Sequence, residues 1–448
     1  MPNIKTWLLF FFATLVAYAG SLRYGFSQDD WYFLLISDAH NLSDMLNFFN
    51  PLAQSGFAFF RPLGTQLYYL LFNMHPLSMH LFMLTVQALN GYLVMRLVGR
   101  LKLKSPTPLI VGLLYTISSV HFLSLFYIAA TQQLLAATFS LLSLIFFLDS
   151  KYRSSAALFA LALLCKETAI VVPGVALILT LISQLRPKLK LFLPYALVFV
   201  IYLLIRLATS SGVQSEYQLT LGPSLLTNLR WYYLFAANLP EALVSYGLPR
   251  MGINFTQFIH DFGISAWVIM ISTGLISLFT FIRLIYTRRW LYILWFVVSL
   301  GPILLLRDHL YPHYLDLALI PFLLLLTQDL KVKYQYLISL IYILAAIYSI
   351  QFSQAHHWTT GRAIMSSSAQ TKLDWSEICS HDSVAFVGEG SRPLELSYTL
   401  SLENGPRVIC QNPALKVYYL TAEALAKEVG KNTISGEAYL VPIDSVFE

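Results

Sequence analysis

The chain has 448 residues, of which 57% are hydrophobic and 12% charged, about half the charge of an average soluble domain. Its 29 Lys and Arg against 23 Asp and Glu sit mostly in short loops between apolar runs, where positive charge sets membrane orientation; nucleic-acid binding explains them poorly. Cys165, Cys379 and Cys410 match neither a metal-ligand spacing nor a disulfide-dense scaffold.

About eleven stretches read as membrane helices, several of them short: 7–22, 76–97, 107–127, 134–148, 154–164, 170–183, 189–207, 264–285, 290–306, 315–327 and 334–353. The first ends at Ala17-Tyr18-Ala19-Gly20, which resembles a signal peptidase site; with so many spans behind it, an uncleaved anchor is expected. Lys5, then Arg96, Arg100, Lys102 and Lys104, then Lys151 and Arg153, Arg186, Lys188 and Lys190, Arg283, Arg288 and Arg289, and Lys331 with Lys333 are assigned to the cytoplasmic side, together with the N-terminus. The same rule divides 154–183, since one long helix would place Arg186, Lys188 and Lys190 outside. Two short spans joined at Cys165-Lys166-Glu167 keep both flanks inside. They also lift Lys166 and Glu167 to the outer surface, avoiding the roughly 2.5–3.5 kcal/mol cost of a mid-membrane charge.

The expected fold is an all-α polytopic membrane protein over residues 1–353, with interfacial helices in its outer loops and a small extracytoplasmic α/β domain at 354–448. The first outer loop, 23–75, carries the amphipathic run Trp31-Tyr32-Phe33-Leu34-Leu35. The second, 208–263, carries Trp231, Tyr232 and Tyr233, an aromatic interfacial signature. The tail reads as strands at 383–387 and 415–420 and helices at 394–402 and 422–429. Outside the cytoplasm Cys379 and Cys410 can pair, and two unpaired thiols fit as well. Sequons at Asn41-Leu42-Ser43 and Asn254-Phe255-Thr256 fall on outer loops.

The residues able to carry chemistry gather on that outer side. Asp29-Asp30 suit a general base for an acceptor hydroxyl, or a divalent cation; the plain alternative is a helix N-cap before 31–36. Arg61, in Phe60-Arg61-Pro62-Leu63, can fork a phosphate or simply snorkel before a helix opened by Pro62. Lys166 and Glu167 point about 100° apart on a helix, so each needs another partner: Lys166 a donor phosphate, Glu167 a cation, or both an inter-helix salt bridge. Arg307, His309 and His313 form a cationic patch for a leaving phosphate, or an ordinary charged loop stitched by Arg307 and Asp308. His121, near Gln132 and Gln133, reads as a core histidine as readily as a working one. No zinc spacing, nucleotide-cradling Gly-Lys-Ser/Thr loop or GxGxxG fingerprint occurs, which argues against an ATP-driven transporter and a nucleotide-sugar enzyme.

In order along the first 350 or so residues, Asp29-Asp30, Phe60-Arg61-Pro62-Leu63 with His80, Val120-His121 with Gln132-Gln133-Leu134-Leu135, and Leu164-Cys165-Lys166-Glu167-Thr168-Ala169-Ile170 with Pro173 resemble the GT-C fold glycosyltransferases that use polyprenyl-phosphate sugars. That group holds the protein O-mannosyltransferases and their tetratricopeptide-linked relatives. The resemblance implies sugar transfer from a polyprenyl phosphate to a protein, lipid or glycan acceptor, with inversion. Asp29 or Asp30 would be the base; Arg61, Lys166, Arg307, His309 and His313 would handle phosphate; His80, His121, Gln133 and Glu167 would support them. The chain departs from the pattern at Leu123 and Gln133, where relatives often carry acids, and no tetratricopeptide array follows. Two other readings are a catalytically silent binder of lipid-linked sugar, favoured by Leu123, and a secondary transporter or flippase, disfavoured by one-sided charge and the lack of a repeat.

Overall fold

The computed structural model describes residues 4–52, 59–72, 75–101, 103, 106–184, 188–209, 219–248, 252–253, 255–306, 309–429 and 438–447. Arg307, Asp308, Lys102, Lys104, Arg186 and Asn254 therefore lie outside the described residues. Among the described residues six helices are long and apolar enough to cross a membrane: Ile4–Arg23, Pro76–Arg100, Ile128–Leu148, Leu189–Thr209, Ile264–Thr287 and Val332–His356. Thr107–Ile117 and Ser119–Phe126, bent by 40°, make a seventh if they act as one span. The other expected stretches form apolar helices of sub-membrane length, Tyr152–Cys165, Glu167–Ile182, Trp290–Leu305 and Leu319–Thr327.

The outward faces are those of a protein dissolved in lipid. Leu193, Leu197, Leu204 and Leu207 are all more than 60% exposed on one helix, and Phe281, Ile282 and Ile285 are over half exposed on another. Facing water, each such leucine would forgo roughly 1.5–3 kcal/mol of burial; facing acyl chains it forgoes little. The chain is a helical membrane protein.

The breaks position the polar residues. After Ile117 the chain turns at Ser118, whose hydroxyl meets Tyr342 and Asn238, and the turn carries His121. After Cys165, Lys166 is fully extended (φ −161°, ψ 139°), and the next helix starts at Glu167. Phe60-Arg61-Pro62-Leu63 is drawn onto this second break because Gly64 lies against it. A β-carbon at Gly64 would come within 2.5 Å of the Cys165 carbonyl, and the Leu63 amide donates to the Leu164 carbonyl at 3.2 Å. Only glycine permits that approach.

Two expectations about aromatic residues need correction. Trp231 and Tyr232 are 1% and 0% exposed, and Tyr233 donates to the Ser277 carbonyl; this helix, Ser224–Ala236, is packed into the main core, not laid at an interface. Trp31, 1% exposed, likewise packs against Phe26, because helix Asp29–Ile36 is covered by the tail.

The tail is α/β as expected. Its parallel sheet has Ser383–Gly388 in the centre, flanked by Lys416–Thr421 and Tyr439–Pro442. The central strand is an unbroken apolar run because both faces are covered. Cys379 and Cys410 are bridged, their Cα atoms 5.1 Å apart. Closing this 31-residue separation stabilises the tail by about 3–4 kcal/mol on chain-entropy grounds. Reducing the bond, or Cys410→Ser, should lower the tail's unfolding temperature by several degrees while the membrane helices stay intact, as limited proteolysis would read.

Candidate functional site

The acidic pair opens helix Asp29–Ile36. Neither carboxylate is the N-cap; Gln28 holds that position with φ 53° and ψ −124°, a backbone that costs a non-glycine residue about 1–3 kcal/mol. The two acids differ sharply. Asp29 is exposed and its amide donates to the Tyr127 hydroxyl at 2.9 Å. Asp30 is fully buried, accepting from the Ser27 amide at 2.8 Å and the Tyr69 hydroxyl at 2.6 Å. Burial drives the Asp30 carboxyl up to about 7; Tyr69 and Ser27 work against that rise, and Asp29 adds to it. The stability contributed by the neutral form is complete below the unfolded carboxyl value near 3.9, and it is lost as pH climbs through about 7. Melting temperature should therefore fall between about pH 4 and pH 7, and Asp30→Asn should flatten that slope; an unchanged slope in the variant would assign it elsewhere.

Glu167 and Lys166 take separate partners. Arg61 donates Nε to Glu167 Oε2 at 2.7 Å and Nη2 to Oε1, and its Nη1 donates to Gln132 Oε1 at 2.7 Å. The Arg61 fork expected to hold phosphate is thus engaged by Glu167, which brings the loop and the two short helices together. Lys166 is 4% exposed; its Nζ lies 3.3 Å from His313 Nε2 and 4.8 Å from the Tyr314 ring centre. Burial first, then the Arg61 guanidinium, pulls the Lys166 ammonium down to about 7.

The histidines form no cationic patch. Burial, then Lys166 and Arg61, lowers His309 to about 4, and burial with Lys166 likewise pushes His313 down. Both imidazoles are neutral hydrogen-bonding groups beside a cation, and His309 Nε2 meets the Tyr314 hydroxyl at 2.8 Å. His121 is fully buried, with Nδ1 3.3 Å from Asp316 Oδ1, and Gln133 Nε2 donates to Asp316 Oδ2 at 2.7 Å while its Oε1 accepts from Thr168. His80 pairs with the Leu125 carbonyl at 3.1 Å and ties two helices together. Leu123 is buried with Tyr127 and Ala129.

These groups are joined by a continuous set of contacts. Asp30 is reached by the Ala129 backbone, the Ala129 carbonyl accepts from Gln132, Gln132 accepts from Arg61, and Arg61 holds Glu167. On the other side Phe33 and Tyr311 pack on the Tyr127 cluster, and the Tyr311 ring lies 5.7 Å from that of His313, the partner of Lys166. A cavity of about 470 Å³ opens between Leu34, Leu35 and Tyr69 on one side and Arg407 and Gln411 of the tail on the other. A smaller chamber of about 20 Å³, room for about one water, lies among Gln133, Thr168, Ser299, Tyr314 and Asp316. Among the described residues no group of three or more His, Cys, Asp or Glu side chains could hold a metal ion.

Asp316, Tyr69 and Tyr127 are members of this cluster that sequence reasoning missed. Asp316 had a usable signal, a single acid inside the expected span 315–327, where an ionisable residue is functional by default. Tyr69 and Tyr127 had none. Fold and site together define a helical membrane protein with a buried, charge-bearing cluster where several helices break. Comparison of the chain with family models, with curated proteins and with solved structures finds no match.

Proposed function

We propose that the protein is a membrane glycosyltransferase that moves a sugar from a polyprenyl phosphate to an acceptor hydroxyl at the non-cytoplasmic face. The observation that carries this reading is a run of contacts from the backbone of an exposed acid, Asp29, whose amide donates to Tyr127, through Tyr127, Tyr311 and His313 to the buried Lys166, beside apolar helices. The acceptor oxygen attacks the anomeric carbon and gives its proton to Asp29. The carbon–oxygen bond to phosphate breaks with inversion, and the phosphate leaves with the electron pair, stabilised by Lys166 and hydrogen-bonded by His309 and His313. Arg61 and Glu167 hold Lys166 in register. The lipid tail lies among the exposed leucines.

Two further features support the reading. Asp316 supplies a carboxylate to His121 and Gln133, compensating within the cluster for the acids absent at Leu123 and Gln133. If the short helices also cross, about eleven crossings would put the basic loops inside and both the acidic pair and the tail outside. Membranes with and without the protein, compared by mass spectrometry of lipids and surface glycans, test it. A polyprenyl-phosphate hexose or pentose that accumulates in the protein's absence names the donor, and unchanged lipid and glycan profiles count against the assignment.

A further inference from the structure

We propose that Arg362, in the first helix of the tail, is a positioning residue for the acidic pair, holding Gln28 in the left-handed backbone from which helix Asp29–Ile36 starts. The proposal rests on the transferase reading for its consequence and on geometry alone for its existence. Gln28 is 9% exposed, and a glutamine keeps a positive φ only where its surroundings over-determine it. Both restraints come from the tail. The Gln28 amide donates to the Thr399 carbonyl at 2.7 Å, and Arg362 Nη1 donates to Gln28 Oε1 at 2.8 Å.

Arg362 is itself fixed. Its guanidinium lies 5.6 Å from the Trp358 ring and 5.2 Å from that of Tyr398, with Nη2 3.6 Å from Glu395. The Trp358 ring meets Tyr127 edge-on at 6.0 Å, and the Tyr127 hydroxyl accepts from the Asp29 amide. Arg362, Gln28, Asp29, Tyr127 and Trp358 thus close a circuit around the backbone of the exposed carboxylate. None of the tail residues in it need touch a sugar. The tail's part is to aim Asp29, and losing that aim costs rate without costing donor affinity.

A double-mutant cycle with the full chain in lipid nanodiscs, combined with hydrogen exchange, tests this. Arg362→Ala and Gln28→Ala should each lower kcat about tenfold or more, with donor KM within about twofold. The double variant should fall no further than either single one. Amides of residues 29–36 should exchange about tenfold faster in Arg362→Ala, while those of helix Pro76–Arg100 keep the wild-type rate. Wild-type kcat in Arg362→Ala, or single effects that multiply in the double variant, would overturn the proposal. A wild-type chain that transfers no sugar defeats the transferase reading instead, and the clamp then stands or falls on the exchange rates alone.

Discussion

Replacing Lys166 by Met is expected to lower kcat/KM for the polyprenyl-phosphate donor by about 10²- to 10³-fold, the loss typical of removing one donor aimed at developing negative charge. Thermal stability should stay level or rise. Lys166 is 4% exposed, its Nζ meets the neutral imidazole of His313, and Glu167 is held by Arg61, so the folded chain bears a desolvation cost that an apolar side chain of similar length removes. A loss of activity with undiminished stability separates a working residue from a structural one. Lys166→Arg should not retain the rate, because a planar fork does not fit where a point charge meets His313 and the Tyr314 face.

Asp29→Asn should abolish transfer, by about 10³-fold or more, whereas Asp30→Asn should cost about tenfold and change the pH profile. The asymmetry follows from exposure: Asp29 reaches solvent, while both oxygens of Asp30 accept hydrogen bonds inside the protein. Loss of the Asp30 proton above about 7 places a negative charge beside Asp29 and makes it a stronger base, so rate rises with pH through that value. Lys166 works in the opposite sense, losing its charge as pH rises through about 7 in the free protein. The kcat/KM profile should therefore be a narrow bell centred near neutrality. The kcat profile should be broader on its alkaline side, since bound phosphate holds the proton on Lys166. Asp30→Asn should remove the acid limb alone, and a limb that persists would show that another group titrates there.

Much of the membrane architecture was legible because hydropathy is a local property. The six long helices and the bent seventh coincide with expected stretches, and the division at Cys165-Lys166-Glu167 followed from charge placement alone. The tail's central strand was visible as a continuous apolar run, while Tyr439–Pro442 is four residues long and contains a proline, too little pattern to read. Within the site, residue types were visible and pairings were not. The engagement of Arg61 by Glu167, 106 residues away, depends on the close approach at Gly64. The neutrality of His309 and His313 depends on burial next to Lys166, which a count of basic residues along the chain cannot convey. Trp231 and Tyr232 carry the composition of an interfacial belt, yet their helix is enclosed by neighbours distant in sequence.

The most direct test is to reconstitute the purified chain in nanodiscs with polyprenyl-phosphate sugars labelled in the sugar and to follow the label at pH 7. Label should move from lipid to an added hydroxyl acceptor, with free polyprenyl phosphate released in equal amount, and Asp29→Asn and Lys166→Met should each stop both. Label that stays on the lipid with every sugar tried, or transfer that survives both substitutions, would contradict the account.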